Sequence, residues 1–437
     1  MLLIVLLSFL LLFTIVFANT QNPTFADNVI NLDNCNGNIY LTSAGDYMIS
    51  GSSKDIAIIV ITNGDISLNF NNVHMRSKNG PCIIVEEAQT AVLNFVENTQ
   101  NIFETTSNQQ FKDYSATIYS RDNLIFDGTG MTLIQSEIGH GVKGNDSIEF
   151  LSGSYEIDCI EDAIHANDNV IIHDGSFVLK TDDKGLRAEN NLEIYNGCFT
   201  INSIGDAIRA EDTLTIHGGI IDIVSDSEGM EAKNEIIINS GKVNIDSKDD
   251  GINAKNKITI NNGTLRIIST ENDAIDSNGA IIVNDGVVYA SGFKSPEGAI
   301  DCDAGVLQIN GGTIMGIGRM NSYYNVGHQN ILMINPEKDE YIKNIKIRHM
   351  NDVVFEYNLH DYKTEQNSAT IGLPSPITRP FNNDTNLLGC SVSLFISCPE
   401  LITGHYSIFF NDIFFDNVEI VDKYTILGAE PVLKFPK

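Results

Sequence analysis

The chain has 437 residues, of which 57 are Asp or Glu and 27 are Lys or Arg, so its formal net charge is -30. This balance excludes a nucleic-acid-binding protein, because phosphate binding requires clustered Lys and Arg. Hydrophobic residues make up 42% of the chain, which is typical of a globular protein and excludes a disordered one. The excess of carboxylates suits contact with hard cations such as Ca2+, although simple solubility explains the acidity equally well.

Residues 1–18, MLLIVLLSFLLLFTIVFA, form an apolar run without an acidic residue, and Val16 and Ala18 are small residues that favour cleavage after Ala18. We predict a signal peptide and therefore a secreted or cell-surface protein; an uncleaved anchor is the alternative. No later segment is long and apolar enough to span a bilayer, so we expect no membrane insertion after cleavage. The seven cysteines show no CxxC spacing, and Cys390 and Cys398 are candidates for one disulfide.

Residues 25–110 contain segments in which apolar and polar residues alternate, such as NGDISLNFNNVHMRS and TAVLNFVENTQN. Alternation with a period of two predicts strands that bury one face. Because this pattern is less regular than the one that follows, we interpret residues 25–110 as an N-terminal cap and the first coils of a repetitive β fold.

Residues 111–318 contain a motif that recurs, at its most regular, every 22 residues. Each repeat adds two pairs of alternating apolar residues and a turn glycine, the last at positions such as Gly175, Gly197 and Gly219, where a left-handed backbone is cheapest. The motifs are DAIHAN (162–167), KGLRAE (184–189), DAIRAE (206–211), EGMEAK (228–233), DGINAK (250–255), DAIDSN (273–278) and GAIDCD (298–303).

Three short strands per repeat cannot bury their apolar faces alone. Stacked coils can, because each strand pairs in parallel with its copy about 4.8 Å away. The abundance of Ile, Val, Thr, Asn and Gly, without a 3.6-residue apolar stripe, argues against a helical solenoid. We therefore predict an all-β fold, a right-handed parallel β-helix with coils of about 22 residues. Residues 319–437 lose the period, and we expect them to form a small C-terminal β element that covers the open end of the solenoid.

Stacking makes neighbours of residues one repeat apart, so acidic positions form outward ladders. Carboxylates one strand spacing apart repel one another, and a calcium ion, which takes six to eight oxygen ligands, would remove that repulsion. A turn-forming role for each Asp and Asn is the alternative. The principal candidate calcium patch comprises Asp249, Asp250, Asn253, Asp273, Asp276 and Asp301.

A second candidate patch comprises Asp162, Asp182, Asp183 and Asp206, which Lys184 and Arg187 would alternatively neutralise. Basic residues on the same strip are candidates for pairing with acidic sugars, and pairing with the neighbouring acids is the equally favoured alternative. These basic residues are Lys184, Arg187, Arg209, Lys233 and Lys255.

Four features occur in a fixed order within about residues 25–415: NVHMRSKNGPCIIVEEAQTAVLNFVENTQNIFE, ATIYSRDNLIFDGTGMTLI, the DAIHA and DGINA coils, and SLFISCPELITGHYSIFF. Together they resemble the secreted carbohydrate-binding β-helix proteins described from cellulolytic clostridia, which are similar in fold to family-nine pectate lyases. The resemblance implies a calcium-dependent binder of polygalacturonate, with cellulose as the second candidate, and no established hydrolase chemistry. We expect such a binder to act as a monomer.

The related lyases hold calcium with a D-D-x-x-D arrangement on adjacent coils. Here Asp249-Asp250-Gly-Ile-Asn253 and Asn272-Asp273-Ala-Ile-Asp276 match it with one Asn each, which implies a lower affinity. The lyase base lies well beyond that motif, and the corresponding stretch, DCDAGVLQINGGT, has no Lys, which argues against catalysis. A pectate-lyase-like enzyme that uses Lys255 or Arg209, and a structural or adhesive solenoid, are the alternative functions.

The chain has no Trp, whereas binding modules for crystalline cellulose usually present a flat row of aromatic rings. Tyr155, Phe177, Tyr195, Phe199 and Tyr289 fall mostly in inward columns of the repeat. Tyr119, Tyr323 and Tyr324 are candidate exposed platforms, with ordinary packing as the favoured alternative. Cellulose is therefore a weaker candidate than an acidic polysaccharide.

Overall fold

The computed structural model describes residues 28–292, 297–303, 306–320, 327–335, 344–358, 394–421 and 424–428. These residues form a parallel β-solenoid of about 13 turns with almost no helix, which confirms the predicted fold class. The helical content in the described ranges is one 3-10 turn at Leu32–Asn34, and no helix there is long and apolar enough to cross a membrane. The predicted signal peptide, Cys390, Tyr323 and Tyr324 lie outside the described residues.

One face of the solenoid is a sheet of 13 parallel strands, one from each coil. The repeat motifs form the central strands, because the Ile, Leu or Met at the third motif position points into the core. In order, the strands are Ile39–Leu41, Ile58–Ile61, Ile83–Glu87, Ala116–Ser120, His140–Gly144, Ile164–Ala166, Leu186–Ala188, Ile208–Ala210, Met230–Ala232, Ile252–Ala254, Ile275–Ser277, Gly298–Cys302 and Arg319–Met320.

The other two faces belong to one 26-stranded sheet, because the long strand Ile66–Ser77 pairs with the first strand of both. Val29–Asn31 and Gly45–Lys54 precede it. The second face contains Ala91–Phe95, Leu124–Asp127, Ile148–Phe150, Val170–Ile172, Leu192–Ile194, Thr213–Ile216, Glu235–Ile238, Lys257–Ile260, Ala280–Val283 and Val306–Ile309. The third contains Gln100–Thr105, Met131–Ser136, Ser154–Cys159, Ser176–Thr181, Cys198–Ser203, Ile220–Ser225, Lys242–Ser247, Thr264–Ser269, Val287–Gly292 and Thr313–Ile317.

The register between coils follows the sequence repeat. Ile164 pairs with Leu186, and Leu186 pairs with Ile208, so each inward side chain lies on its own copy. The columns are fully buried, and Phe177 stacks on Phe199 with ring centroids 4.8 Å apart. After the uniform coils of 22 residues that run from Ile164 to Ile252, two coils are longer: Ile252 pairs with Ile275, and Ile275 pairs with Ile300. Both lengthened coils carry residues of the principal acidic patch.

The turn between the second and third faces requires glycine. Gly197 has φ of +125° and Gly241 has φ of +109°, a backbone region that side chains with a Cβ rarely adopt. A Cβ on Gly219 would also lie 2.7 Å from the carbonyl oxygen of Gly197 on the previous coil. The glycine column noted in the sequence therefore allows the coils to stack at one strand spacing.

The last coil does not end in an open sheet edge. Leu394–Ser397 pairs antiparallel with Thr313–Ile317, and Ile331–Asn335 and Tyr424–Gly428 extend the sheet further. A separate antiparallel sheet of four strands follows. Its strands are Asn344–His349, Asp352–Asn358, Gly404–Phe410 and Ile413–Ile420.

Tyr119 follows its favoured alternative, ordinary packing, whereas Tyr195 differs from the prediction. Tyr119, a candidate exposed platform, is only 7% exposed, because it packs in an outward apolar cluster with Ile59 and Ile84 that Phe111 and Tyr114 contact. Tyr195 is 43% exposed instead of pointing inward, and it stacks between His173 and His217 on the outside of the second face. Tyr155, Phe177 and Phe199 are buried, as their phase in the repeat predicts.

Candidate cation and carbohydrate site

The fourth motif position forms one outward column on the 13-stranded sheet. Residues in this column lie one strand spacing apart, about 4.8 Å. The column changes from basic to acidic along the solenoid axis, so its two ends favour ligand groups of opposite charge. In order, it contains Lys143, His165, Arg187, Arg209, Glu231, Asn253, Asp276 and Asp301.

The motif-opening position forms a second column beside the first, and its Asp side chains are held by backbone groups. Asp250 and Asp273 are only 5% and 4% exposed. The backbone N–H of Asp273 donates to Asp250 Oδ1 at 3.1 Å, and that of Gly298 donates to Asp273 Oδ1 at 2.6 Å. Each carboxylate therefore receives a hydrogen bond from the next coil, which fixes its position in the column.

The end of the strip contains a compact acidic cluster. One carboxylate oxygen from each of Asp273, Asp276 and Asp301 lies within 4.8 Å of the other two. Within the described parts of the chain, neither Asp273 nor Asp276 forms an ion pair with Lys, Arg or His. Buried like charges at this separation destabilise one another unless a cation lies between them.

The pKa values of three carboxyl groups in this region are raised accordingly. Burial, followed by repulsion from Asp276 and Asp249, raises the pKa of Asp250 to about 8. Burial also raises the pKa of Asp273 to about 7 and that of Asp276 to about 6, and repulsion from Asp301 adds to both shifts. Without a cation, the cluster therefore retains protons near neutral pH.

The two amide positions of the patch contact its carboxylates. Asn253 Nδ2 donates to Asp250 Oδ2 at 2.9 Å, and Asn272 Nδ2 donates to Asp249 Oδ1 at 2.7 Å. All six predicted residues therefore lie on three adjacent coils, with Asp273, Asp276 and Asp301 closest together. These donors are carboxylate and amide oxygens, the ligand type that calcium takes, so the residues present fit that ion.

The structure does not assemble the second predicted patch. Asp162 lies against two imidazoles, with Oδ2 3.0 Å from His165 Nδ1. Asp183 Oδ1 pairs with Lys184 Nζ at 2.5 Å, and Asp206 Oδ2 pairs with Arg209 Nη1 at 3.1 Å. Asp162, Asp183 and Asp206 therefore each have a different basic partner, because Lys, Arg and His side chains reach across from neighbouring positions.

Asp206 belongs instead to a mixed cluster with Glu228, Glu231 and Arg209. Arg209 Nη1 also lies 2.7 Å from Glu231 Oε2, so it links carboxylates on two coils. Burial and a hydrogen bond to Asp206 raise the pKa of Glu228 to about 7. The guanidinium of Arg209 already pairs with the carboxylates of this cluster, so we interpret the cluster as a structural ion-pair network.

The predicted sugar-binding basic residues fall into two groups. Arg187 Nη2 pairs with Glu189 at 2.6 Å, and Arg209 and Lys184 pair with the acids already described, so all three are used within the protein. Lys255 is exposed and, within the described ranges, forms no ion pair. Lys255 is therefore the predicted basic residue that is best placed to contact an acidic ligand.

The sequence analysis missed the partners that surround the second patch. His140 Nε2 lies 2.9 Å from Glu161 Oε2, and its ring is 4.9 Å from that of His165. The signal was present, because His140 occupies the motif-opening column one coil before Asp162. Combining that column with the fourth motif position, which holds His165, would have identified the pair of imidazoles.

Comparison with known proteins supports a carbohydrate-related family. A curated relative from Acetivibrio thermocellus, described as a carbohydrate-binding domain-containing protein, is 23% identical over 150 residues, which is 33% of this chain. The chain matches only 52% of that relative's length. A solved structure, described as the polysaccharide lyase-like protein from C. thermocellum in a gadolinium derivative, aligns with a TM-score of 0.39 and 15% identity over 58% of this chain and 95% of that one.

The family model described as carbohydrate-binding domain-containing protein matches residues 35–273. This range covers more than half of the 437 residues, from the first described strands to the edge of the acidic cluster at Asp273. The chain therefore belongs to the family of carbohydrate-binding domain-containing proteins.

Proposed function

We propose that the protein is a secreted, calcium-dependent binder of acidic plant polysaccharide such as polygalacturonate. The observation that carries this proposal is the run of Asp250, Asp273, Asp276 and Asp301, which are close together and have raised pKa values at three of the four positions. Membership of a carbohydrate-binding family supports a polysaccharide as the ligand.

Calcium also resolves an electrostatic problem. The formal net charge is -30, so direct approach of a polyuronate to this surface is repulsive. A divalent ion bound by the cluster would supply positive charge that carboxylates of both protein and polymer share. Asp273, Asp276 and Asp301 would hold the ion, and Asn253 would orient Asp250 beside it.

Lys255 would provide the adjacent contact that does not depend on the ion. It follows the Ile252–Ala254 strand directly, on the same face as Asn253, and its side chain is exposed. A lysine ammonium pairs with a uronate as a point charge, and an exposed pair of this kind adds about 0.2 to 1 kcal/mol. The ion, rather than the lysine, would therefore dominate the affinity.

The experiment is co-sedimentation of the full chain with polygalacturonate, with and without a calcium chelator. We expect retention in calcium, loss in chelator, and loss in the Asp273→Asn plus Asp276→Asn variant. The matched control is Asp65→Asn plus Asp146→Asn, which removes the same two charges from exposed positions on other parts of the solenoid. Retention that ignores both the chelator and the double substitution would refute the calcium mechanism.

The same samples distinguish the lyase alternative. Elimination within a polyuronate leaves an unsaturated product that absorbs in the ultraviolet, whereas binding leaves the polymer intact. We expect no increase in absorbance. An increase that depends on calcium and on Lys255 would replace binding with catalysis as the function of this site.

A further inference from the structure

A second cluster of ligand-type side chains lies on the same strip, several coils before the acidic one. His140 opens the strand His140–Gly144. His165 lies within the next strand of that sheet, Ile164–Ala166, and Asp162 lies two residues before this strand. The three residues are 6%, 0% and 5% exposed. Their chemistry differs from that of the calcium cluster, because two of the three offer nitrogen.

Two outer carboxylates determine the tautomers of the imidazoles. His140 Nε2 lies 2.9 Å from Glu161 Oε2, and His165 Nε2 lies 3.2 Å from Glu189 Oε1. An ionised carboxylate only accepts hydrogen bonds, so each Nε2 carries a proton, and in the neutral ring Nδ1 then carries a lone pair; for His140, the backbone N–H of Asp162 that donates to Nδ1 requires the same tautomer.

The lone pairs then converge on one carboxylate oxygen. His165 Nδ1 lies 3.0 Å and His140 Nδ1 lies 3.6 Å from Asp162 Oδ2. Within the described part of the chain, neither Asp162 Oδ2 nor His165 Nδ1 has a hydrogen-bond partner, although both atoms are buried. The other oxygen, Asp162 Oδ1, accepts from the backbone N–H of Lys184 at 3.2 Å, which fixes the carboxylate.

We propose that His140 Nδ1, Asp162 Oδ2 and His165 Nδ1 form a binding site for a transition-metal dication of the Zn2+ type, separate from the acidic cluster. In a tetrahedral zinc site with bonds near 2.0 to 2.1 Å, neighbouring ligand atoms lie roughly 3.3 Å apart. The two distances to Asp162 Oδ2 bracket this value. Glu161 and Glu189 supply the outer carboxylates that commonly orient metal-bound histidines.

Other groups also contact the three proposed ligand residues. The backbone N–H of Asp162 donates to His140 Nδ1 at 3.1 Å, so a metal would replace that hydrogen bond. Lys143 Nζ lies 3.5 Å from His140 Nε2, and Arg187 Nη1 lies 3.8 Å from Asp162 Oδ2. A proton on His165 Nδ1 would also compete with the metal, because it would lie between His165 Nδ1 and Asp162 Oδ2. His165 and Asp162 therefore form the essential pair, and His140 strengthens it.

The experiment uses the full chain after removal of metals with a chelator, in buffer that contains saturating calcium. Co2+ is added as the probe, because tetrahedral Co2+ absorbs strongly in the visible range, and Zn2+ is then added in competition. We expect one Co2+ per chain, displaced by Zn2+. We expect His165→Ala and Asp162→Asn each to abolish the signal, and Glu189→Gln, which changes only an outer carboxylate, to weaken Zn2+ binding about 10- to 100-fold.

Two controls make the result decisive. Asp276→Asn removes a calcium ligand and should leave Co2+ binding unchanged, which separates this proposal from the proposed function. His173→Ala plus His217→Ala removes the exposed imidazoles beside Tyr195 and should also have no effect. Absence of a Co2+ spectrum, or its loss only in this last variant, would overturn the proposal. Glu189→Gln keeps the test valid if the substitutions of buried residues prevent folding, because Glu189 is partly exposed.

Discussion

Calcium binding to the acidic cluster should release protons, and their number follows from the structure. The perturbation is addition of Ca2+ to metal-free protein at two pH values. Metal ligands must be deprotonated, and the positive charge of the ion also favours ionisation of Asp250 beside it, so the protons that these carboxyl groups hold before binding must leave. With pKa values of about 8, 7 and 6 for Asp250, Asp273 and Asp276, the three groups carry about two protons at pH 6.5. At pH 8.5 the same groups carry well under one.

The assay is titration calorimetry in two buffers with different ionisation enthalpies, in which the difference in observed heat gives the number of protons released. We expect about two protons at pH 6.5, few at pH 8.5, and a calcium affinity that rises with pH between these values. The Asp273→Asn variant should release roughly one proton fewer at pH 6.5, and Asp146→Asn should match the parent protein. Proton release that does not change with pH would refute the assignment of these carboxylates as ligands.

Three further predictions concern stability, each measured by urea unfolding. In chelator, raising the pH from 5 to 8 should lower the free energy of unfolding by roughly 2 to 3 kcal/mol through Asp273 alone. A carboxyl with a raised pKa in the folded state binds its proton more tightly there than in the unfolded chain, so the fold loses this stability as the group ionises. A free energy of unfolding that does not change with pH would contradict the uncompensated burial of Asp273. Arg209→Ala should cost about 3 kcal/mol, since it leaves Glu231 buried with less compensation, whereas Lys255→Ala should change stability by less than about 0.5 kcal/mol. Phe177→Ala should cost roughly 3 to 5 kcal/mol by opening a cavity in the aromatic stack, and a smaller loss would mean that the coils close around it.

The repeat made the fold predictable from the sequence. Residues such as Ile164, Leu186 and Ile208 keep one phase, and parallel pairing of identical coils then determines the register without further information. The glycine column was predictable for the same reason, because a turn that repeats must repeat its backbone conformation. The antiparallel sheet after residue 344 has no such repeat, so its strand order did not follow from the pattern.

The site was predictable to the level of columns but not of contacts. Stacking alone brings Asp273, Asp276 and Asp301 together, because short Asp side chains remain where the backbone places them. Long side chains behave differently: Arg209 reaches carboxylates on its own coil and on the next one, and Arg187 reaches one on its own coil and one on the preceding coil. Which acids are neutralised depends on these rotamers, which the spacing of residues does not specify.

Tyr195 illustrates a second limit. The apolar columns two residues apart predict which strand positions point inward, but Tyr195 directly follows the strand Leu192–Ile194, where the chain turns. Outside the strand the alternation no longer applies, and stacking between His173 and His217 on adjacent coils places the ring at the surface. Predictions for residues at corners therefore need the corner geometry as well as the period.

The two lengthened coils have a consequence for how such a protein can diverge. Pairing requires only that the strands Ile252–Ala254, Ile275–Ser277 and Gly298–Cys302 return to register, so additional residues can enter at the corner between them without disturbing the core. That corner lies directly beside the acidic cluster, and Glu297 already adds its charge there. A change in the length of this one corner can thus alter the ligand preference, while the strands and the core of the solenoid remain unchanged.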